Sequence, residues 1–255
     1  IYRTEEIETV ASILEDKARQ LPPEAMKLIV CPIFSALPSE KQMQVFEKTP
    51  EGCRKVVLAT NIAETSITIH GIKYVIDTGF VKMRAFNPLN GMEALKVVPI
   101  SKASASQRKG RAGRECPGKC FRLYPESILS SLDTFTPPEI KRCNLSEIVL
   151  QLKSMGINDV LNFDFIDKPQ KSVLRKSLEL LAALGALNPD SSLSKFGKKL
   201  SQFPLPPMFS TALLKAQEFN CVSEILTIIS MLSVESIFYA PYDKREKADK
   251  ATKAE

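Results

Sequence analysis

Apolar positions follow helical spacing at the two ends of the chain and strand-like runs between them. Ile7, Val10, Ala11, Leu14, Ala18 and Leu21 form a stripe that predicts a helix over residues 5–21, stopped by Pro22-Pro23. Lys27 to Ile33 is largely apolar and reads as a buried strand. Pro38, Ser39 and Gln42 predict a capped helix running to about Lys48. Lys55 to Ala59 is a second buried strand that ends in polar Thr60 and Asn61. A helix or turn follows at residues 63–65, then Gly71, then a strand over 73–77. Strands alternating with helices predict an α/β fold with a parallel sheet, in which ligands sit beyond the carboxyl ends of the strands. Val81 to Phe86 and Ala94 to Val98 flank the turn signal Asn90-Gly91 and predict a β-hairpin. Lys119 to Tyr124 supplies a last strand, so the sheet domain should close near residue 125.

The texture changes at Pro137-Pro138. Beyond it only helical periodicity remains. Asn144 and Glu147 read as a capping box ahead of the stripe Leu145, Ile148, Val149 and Leu152, which Gly156 ends. Leu174, Leu178, Leu181 and Leu184 form a second stripe ended by Gly185. Residues 192–200 suggest a small wing, so the pattern is that of a winged helix. After Pro204, Pro206 and Pro207, helices are expected from Met208 to about Val234. Residues 243–255 are highly charged with little to bury, and are expected to be disordered or a solvated helix.

Composition narrows the function classes only a little. A chain of 255 residues, 44% hydrophobic and 25% charged, fits one large or two modest domains. A net charge of +6 suits a nucleic-acid partner without demanding one. Six scattered cysteines in a chain of this size point to reduced thiols inside a cell. Cys116 and Cys120 are the only close pair and His70 is the only histidine, so no zinc ligand set is expected. No run of eighteen apolar residues and no signal peptide occur, so no membrane partner is expected. Opening directly in an amphipathic helix suggests a piece of something longer.

Gln107 to Arg114, Gln-Arg-Lys-Gly-Arg-Ala-Gly-Arg, carries the candidate chemistry. It reads as the end of a helix capped by Ser104, with Gln107 three residues on. Gln107, Arg111 and Arg114 are spaced i, i+4 and i+7, which puts them on one helical face. Gly110 and Gly113 weaken a helix and leave bare backbone for close approach of a phosphate or another chain segment. Two permanently charged guanidinium forks and an amide suit a polyphosphate, where such arginines act as fingers on a γ-phosphoryl group. The bland alternative is a solvated basic helix.

Thr60-Asn-Ile-Ala-Glu-Thr-Ser-Ile-Thr-Ile69, followed some forty positions later by Gln107 to Arg114, closely resembles motifs V and VI of the DEAH/RHA-box RNA helicases. Phe34-Ser-Ala-Leu-Pro38 is similar to motif IV, Gln44-Val-Phe-Glu47 to motif IVa, and Phe86 to Ser101 to the family's strand-separating hairpin. Residues 117–124, 138–145, 163–167 and 203–205 resemble the family's segments downstream of motif VI, so the likeness runs to about Pro241.

The resemblance implies a second RecA-like domain over 1–125, a winged helix over 126–187 and the start of a helical ratchet-like domain over 188–255. It implies that Gln107, Arg111 and Arg114 face the γ-phosphate of ATP and the attacking water. Ser66 would sense the nucleotide and Phe46 would stack on its base. Thr60, Asn61 and Ser35 would hold RNA backbone without reading its sequence. A G-patch-type activator is the implied protein partner, and the nucleus or nucleolus the implied compartment. His70 stands where many members carry an aspartate that bonds the ribose; a neutral imidazole can still donate or accept there, and a bland histidine is the alternative. Tyr2-Arg3-Thr4 replaces the family's Thr-Gly-Gln, and the strand that should precede it is absent. Neither a G-x-x-x-x-G-K-[ST] phosphate loop nor Asp-Glu-Ala-His occurs, so Mg²⁺ would be held mainly by a first RecA-like domain outside this chain. The chain alone is therefore expected not to hydrolyse ATP. The alternatives are a non-enzymatic scaffold derived from a helicase and a DNA-directed motor.

Overall fold

The computed structural model describes residues 4–35, 37–87 and 92–234. The Asn90-Gly91 turn, Ala36 and the charged tail lie outside the described residues. Two compact units are present: Ile1–Arg84 with Leu95–Pro137, and Ala85–Ala94 with Pro138–Glu255.

The first unit opens with α1 (Thr4–Arg19), followed by β1 (Lys27–Ile33), the short α2 (Ser39–Met43) and β2 (Cys53–Ala59). β1 and β2 are parallel, with Lys27 opposite Cys53 and Ile33 opposite Ala59. The stripe of α1 packs on them through Ile7, Val10, Ala11 and Leu14 against Val30, Phe34, Val56 and Leu58. α2 ends five residues earlier than the pattern predicts, and Ser39 is its first helical residue rather than its cap. Gln42 instead donates its amide to the Leu37 carbonyl at 2.6 Å. Val45, fully buried, enters the core in the turn that follows.

A four-residue helix, α3 (Ile62–Thr65), leads to β3 (Tyr74–Asp77). The hairpin strands β4 (Phe80–Asn87) and β5 (Met92–Pro99) come next, then α4 (Lys102–Lys109), β6 (Lys119–Arg122) and α5 (Glu126–Ser131). β6 runs parallel to β3. Among the described residues the parallel strands form two separate pairs, β1-β2 and β3-β6, where the sequence pattern suggests one sheet. Each strand's apolar run says that it is buried, not which neighbour it pairs with. Gly118 explains how β6 is fed in: a Cβ there would lie 2.0 Å from the Ala112 carbonyl oxygen, so no larger residue fits between α4's exit and the strand.

Apart from the parts of β4 and β5 that it includes, the second unit is helical, as expected: α6 (Ser146–Ser154), α7 (Lys171–Ala183), α8 (Lys195–Leu200), α9 (Pro207–Ala216) and α10 (Val222–Leu232). Its core gathers Leu145, Val149, Leu150, Val160, Leu174, Leu181, Ala186 and Leu200. Gly156 and Gly185, at φ 89° and 74°, take the left-handed conformation that ends α6 and α7. Leu187 bridges antiparallel to Leu193 ahead of α8, forming a minimal wing. Asn144 does serve α6, but its side-chain oxygen accepts the Ser146 N–H directly, at 2.9 Å. Lys153 is buried at the base of the wing, donating to the Asn158 carbonyl at 2.9 Å and to that of Ser191, and burial lowers its pKa.

Candidate functional site

The parallel register brings polar groups to one edge. With Ile33 opposite Ala59, Ser35 and Asn61 each follow their strand by two residues, and Thr60 lies between. The Thr60 N–H donates to the Ile33 carbonyl at 3.3 Å, tying the two strand ends together. Ser35 and Asn61 are exposed and Thr60 is half-buried. α3 starts one residue after Asn61, and Ser66 closes it, exposed. Phe46 lies just after α2 with its side chain 40% exposed, so it is not a core residue.

The Gln107–Arg114 segment is not one α-helix. α4 ends at Lys109 and continues as a tighter 3-10 turn over Gly110–Gly113. Its cap is Ser101, whose hydroxyl accepts the Ser104 N–H at 3.1 Å; Ser104 is not the cap. The physical reason is tertiary. The N–H groups of Lys102 and Ala103 donate to the carbonyls of Asp133 (2.8 Å) and Thr134 (3.1 Å), which satisfies the helix start three residues earlier. No described atom comes within 4 Å of where a side chain on Gly110 or Gly113 would sit, so neither is packed against other backbone.

Gln107 is exposed on α4. Arg111 donates from Nη1 to the Ile67 carbonyl at 3.2 Å, while its buried Nε has no partner among the described residues. Its pKa is lowered, chiefly by burial and then by Arg114, with Glu64 offsetting part of this. Arg114 is exposed and donates to the Thr68 hydroxyl. Both arginines thus lean on the loop after α3.

His70 does not stand free. Its Nδ1 lies 2.5 Å from a Glu115 carboxylate oxygen, whose partner oxygen accepts the Gly71 N–H at 3.0 Å. The hydrogen bond with His70, then that from Gly71, holds the Glu115 carboxyl below the usual range.

Sequence reasoning missed the residues that anchor this segment. Arg108 splits its guanidinium between Glu64 Oε2 on α3 (2.9 Å), Asp77 Oδ1 at the end of β3 (2.8 Å) and the Phe80 carbonyl (3.0 Å). Burial opposes its charge, but the bonds to Asp77 and Glu64 outweigh it and raise the pKa. Asp77, the last residue of β3, is 1% exposed. It accepts from the Gly79 N–H at 3.0 Å and from the Tyr124 hydroxyl at 2.9 Å. The available signal was a row of charged or polar residues at a strand end and mid-helix, flanked by apolar runs.

Tyr124 is pushed up from 10.0 to about 12, by burial first and then by its bond to Asp77. The folded state therefore holds this proton after the unfolded chain has lost it, and stability falls as pH rises from about 10 to about 12. Denaturant titrations of wild type and Tyr124→Phe across that window are expected to converge, because the variant lacks this loss. Parallel curves would remove Tyr124 from the alkaline transition.

The helicase conserved C-terminal domain matches residues 2–116, the winged-helix part of the helicase associated domain matches 177–205, and its ratchet-like part matches 206–255. Over 245 residues the chain is 56% identical to the pre-mRNA-splicing factor ATP-dependent RNA helicase DEAH10 of Arabidopsis thaliana, covering 96% of this chain and 34% of that protein. The chain belongs to the DEAH/RHA-box helicase family. The solved structure of the E. coli DExH-box NTPase HrpB superimposes with a TM-score of 0.81 at 28% identity, over 99% of this chain and 32% of that one. The chain spans about a third of the length of these relatives. The α/β fold with parallel strands and a helical, winged-helix second part is that of this helicase family.

Proposed function

We propose that this chain is the C-terminal motor half of an ATP-dependent RNA helicase, supplying arginine fingers and half of the grip on RNA. The observation that carries it is the state of Arg111. Its guanidinium is half-buried, holds one carbonyl and lies within the field of Arg114. Glu64, whose charge partly offsets this, is already committed to Ser104 and Arg108. Two neighbouring guanidiniums that rest on a carbonyl and a hydroxyl suit a polyphosphate, and a γ-phosphate carries the charge that matches them.

In this reading Gln107 orients the attacking water, and Arg111 and Arg114 stabilise charge on the transferred phosphoryl group. Ser66 senses the nucleotide, Phe46 stacks on the base, and His70 reaches the ribose through the ring nitrogen not engaged by Glu115. Ser35, Thr60 and Asn61 hold RNA phosphates or 2′-hydroxyls; their shared strand-end position supports this. The phosphate loop and the groups that hold Mg²⁺ belong to a first RecA-like domain outside this chain. Closure of the two domains around ATP completes the site, and loss of the γ-phosphate lets them part.

The proposed division is a second RecA-like domain over 1–125, a winged helix over 126–187 and the ratchet start over 188–255. The order of the three domain matches supports this order of parts; the winged-helix match at 177–205, the ratchet-like match from 206 and the unit boundary at Pro137 lie later in the chain than the divisions at 187 and 125. A G-patch-type activator remains part of the proposal on the resemblance alone. Nuclear location is carried over from the splicing role in the plant relative's name.

The test is ATP turnover by the full-length protein with and without RNA, and unwinding of matched RNA and DNA duplexes. RNA-stimulated turnover and preference for the RNA duplex are expected, with no hydrolysis above background by residues 1–255 alone. RNA binding without turnover in the full-length protein would favour the scaffold, and equal unwinding of both duplexes a motor indifferent to the sugar.

A further inference from the structure

We propose that Arg108 is a positioning residue that couples the polar end of β2 to Arg111 and Arg114; the proposal rests on the reading of those arginines as fingers. Arg108 does not touch the reacting atoms. Each of its three nitrogens is already engaged, by Glu64, Asp77 and Phe80, and its side chain is only 14% exposed. Its permanent charge is matched by two carboxylates, with side chains 12% and 0% exposed.

The arrangement joins three elements at one guanidinium. Glu64 lies on α3, three residues after Asn61, and its second oxygen accepts the Ser104 hydroxyl at 2.5 Å. Ser104 and Arg108 are one helical turn apart, so α4 grips Glu64 at two points on one face. Asp77 holds the other side of the guanidinium and is itself fixed by Tyr124 and Gly79. A shift at Thr60 and Asn61 would therefore pass through the single turn of α3 to α4, and from there to Arg111 three residues beyond Arg108. Ile67 and Thr68, which receive Arg111 and Arg114, lie on the loop leaving the same turn, so the fingers' rests move with their anchor.

A fork is needed here and a charge alone does not suffice. Lysine at 108 keeps the cation but cannot span Glu64, Asp77 and the Phe80 carbonyl at once. Small misplacement of a catalytic group costs about 10²-fold in rate. In the full-length protein, Arg108→Lys is expected to lower kcat for RNA-stimulated ATP hydrolysis by about that factor, with KM for ATP and affinity for single-stranded RNA within about twofold. Combined with Arg111→Ala it should cost less than the product of the two separate losses, because part of what Arg108 does passes through Arg111. Glu64→Gln, which cuts only the α3 arm, should reduce the RNA-stimulated rate more than the RNA-free rate.

Backbone hydrogen exchange provides a readout independent of activity. Arg108→Lys should speed exchange over residues 104–114 while leaving the second unit unchanged. An unaltered kcat in a folded Arg108→Lys protein, full multiplicative loss with Arg111→Ala, or unchanged exchange over 104–114 would each overturn the proposal. Failure of the wild-type protein to hydrolyse ATP would instead sink the functional reading, and the exchange experiment would still decide whether Arg108 positions the segment.

Discussion

Arg111→Ala in the full-length protein is expected to lower RNA-stimulated ATP turnover by about 10³-fold, the lower end of what an arginine finger contributes. The size reflects how few bonds within the chain the guanidinium makes. It gives up one hydrogen bond, to the Ile67 carbonyl, and its buried Nε is unpartnered among the described residues. Little folding energy rides on it, so its loss should fall on catalysis. Arg111→Lys should sit between wild type and alanine, because a point charge replaces the planar fork. Steady-state turnover with saturating RNA, alongside a melting curve for each variant, provides the check. Turnover within a few-fold of wild type in a folded Arg111→Ala protein would end its assignment as a finger. Charge repulsion from Arg114 and the distribution of Glu64 between Ser104 and Arg108 make the same point electrostatically. This site is cationic because its neighbours' carboxylates are engaged elsewhere.

Leu181→Ala is expected to destabilise the helical unit by about 3 kcal/mol or more, within the usual range for a buried leucine. Leu181 is fully buried on α7, in one cluster with Leu145, Val149, Leu174 and Leu200. These residues come from α7, from α8 and from α6 with the residue that precedes it, so the cavity would be walled by several elements. Such walls relax only partly, which adds a cavity cost to the lost burial. Urea or guanidinium unfolding gives the number; a change below about 1 kcal/mol would mean that the site collapses around the smaller side chain. Because α7 lies in the second unit, ATP-site variants and this one should combine additively.

The legible part of the fold was the part written in local periodicity. β1 begins and ends where its apolar run does, at Lys27 and Ile33. The stripe Leu174, Leu178, Leu181 and Leu184 marked α7, and Gly185 its end, because a left-handed residue is needed there and glycine takes it without strain. The hairpin was also legible, its strands extending a little beyond the alternating residues that announced them. Caps were less so. Ser101, Ser104 and Ser106 crowd the start of α4, and Gln107 made Ser104 the attractive choice. Carbonyls of Asp133 and Thr134, about thirty residues away, decided for Ser101 instead. At α2 the expected serine is again not the cap: Pro38 occupies that position and Ser39 begins the helix.

The candidate site divides in the same way. Residues whose spacing carries chemistry, Gln107, Arg111 and Arg114, are marked by the sequence alone, as are the polar ends at Thr60 and Asn61. Arg108 did not, since an arginine among arginines has no local mark of burial. Its role depends on Glu64 and Asp77, 44 and 31 residues away, being folded to within 3 Å of it.

What the chain's order of residues determined by itself was the kind of each element, the family and the spacing of Gln107, Arg111 and Arg114, because those depend on side-chain type and short-range order. Tertiary structure alone decided that the parallel strands pair as two separate pairs among the described residues, that α4 tightens into a 3-10 turn before Arg111, and that Glu64 and Asp77 are consumed by Arg108. Each of these is a pairing between distant groups. Local pattern states what a residue can bond, but only the packed chain brings its partner within reach.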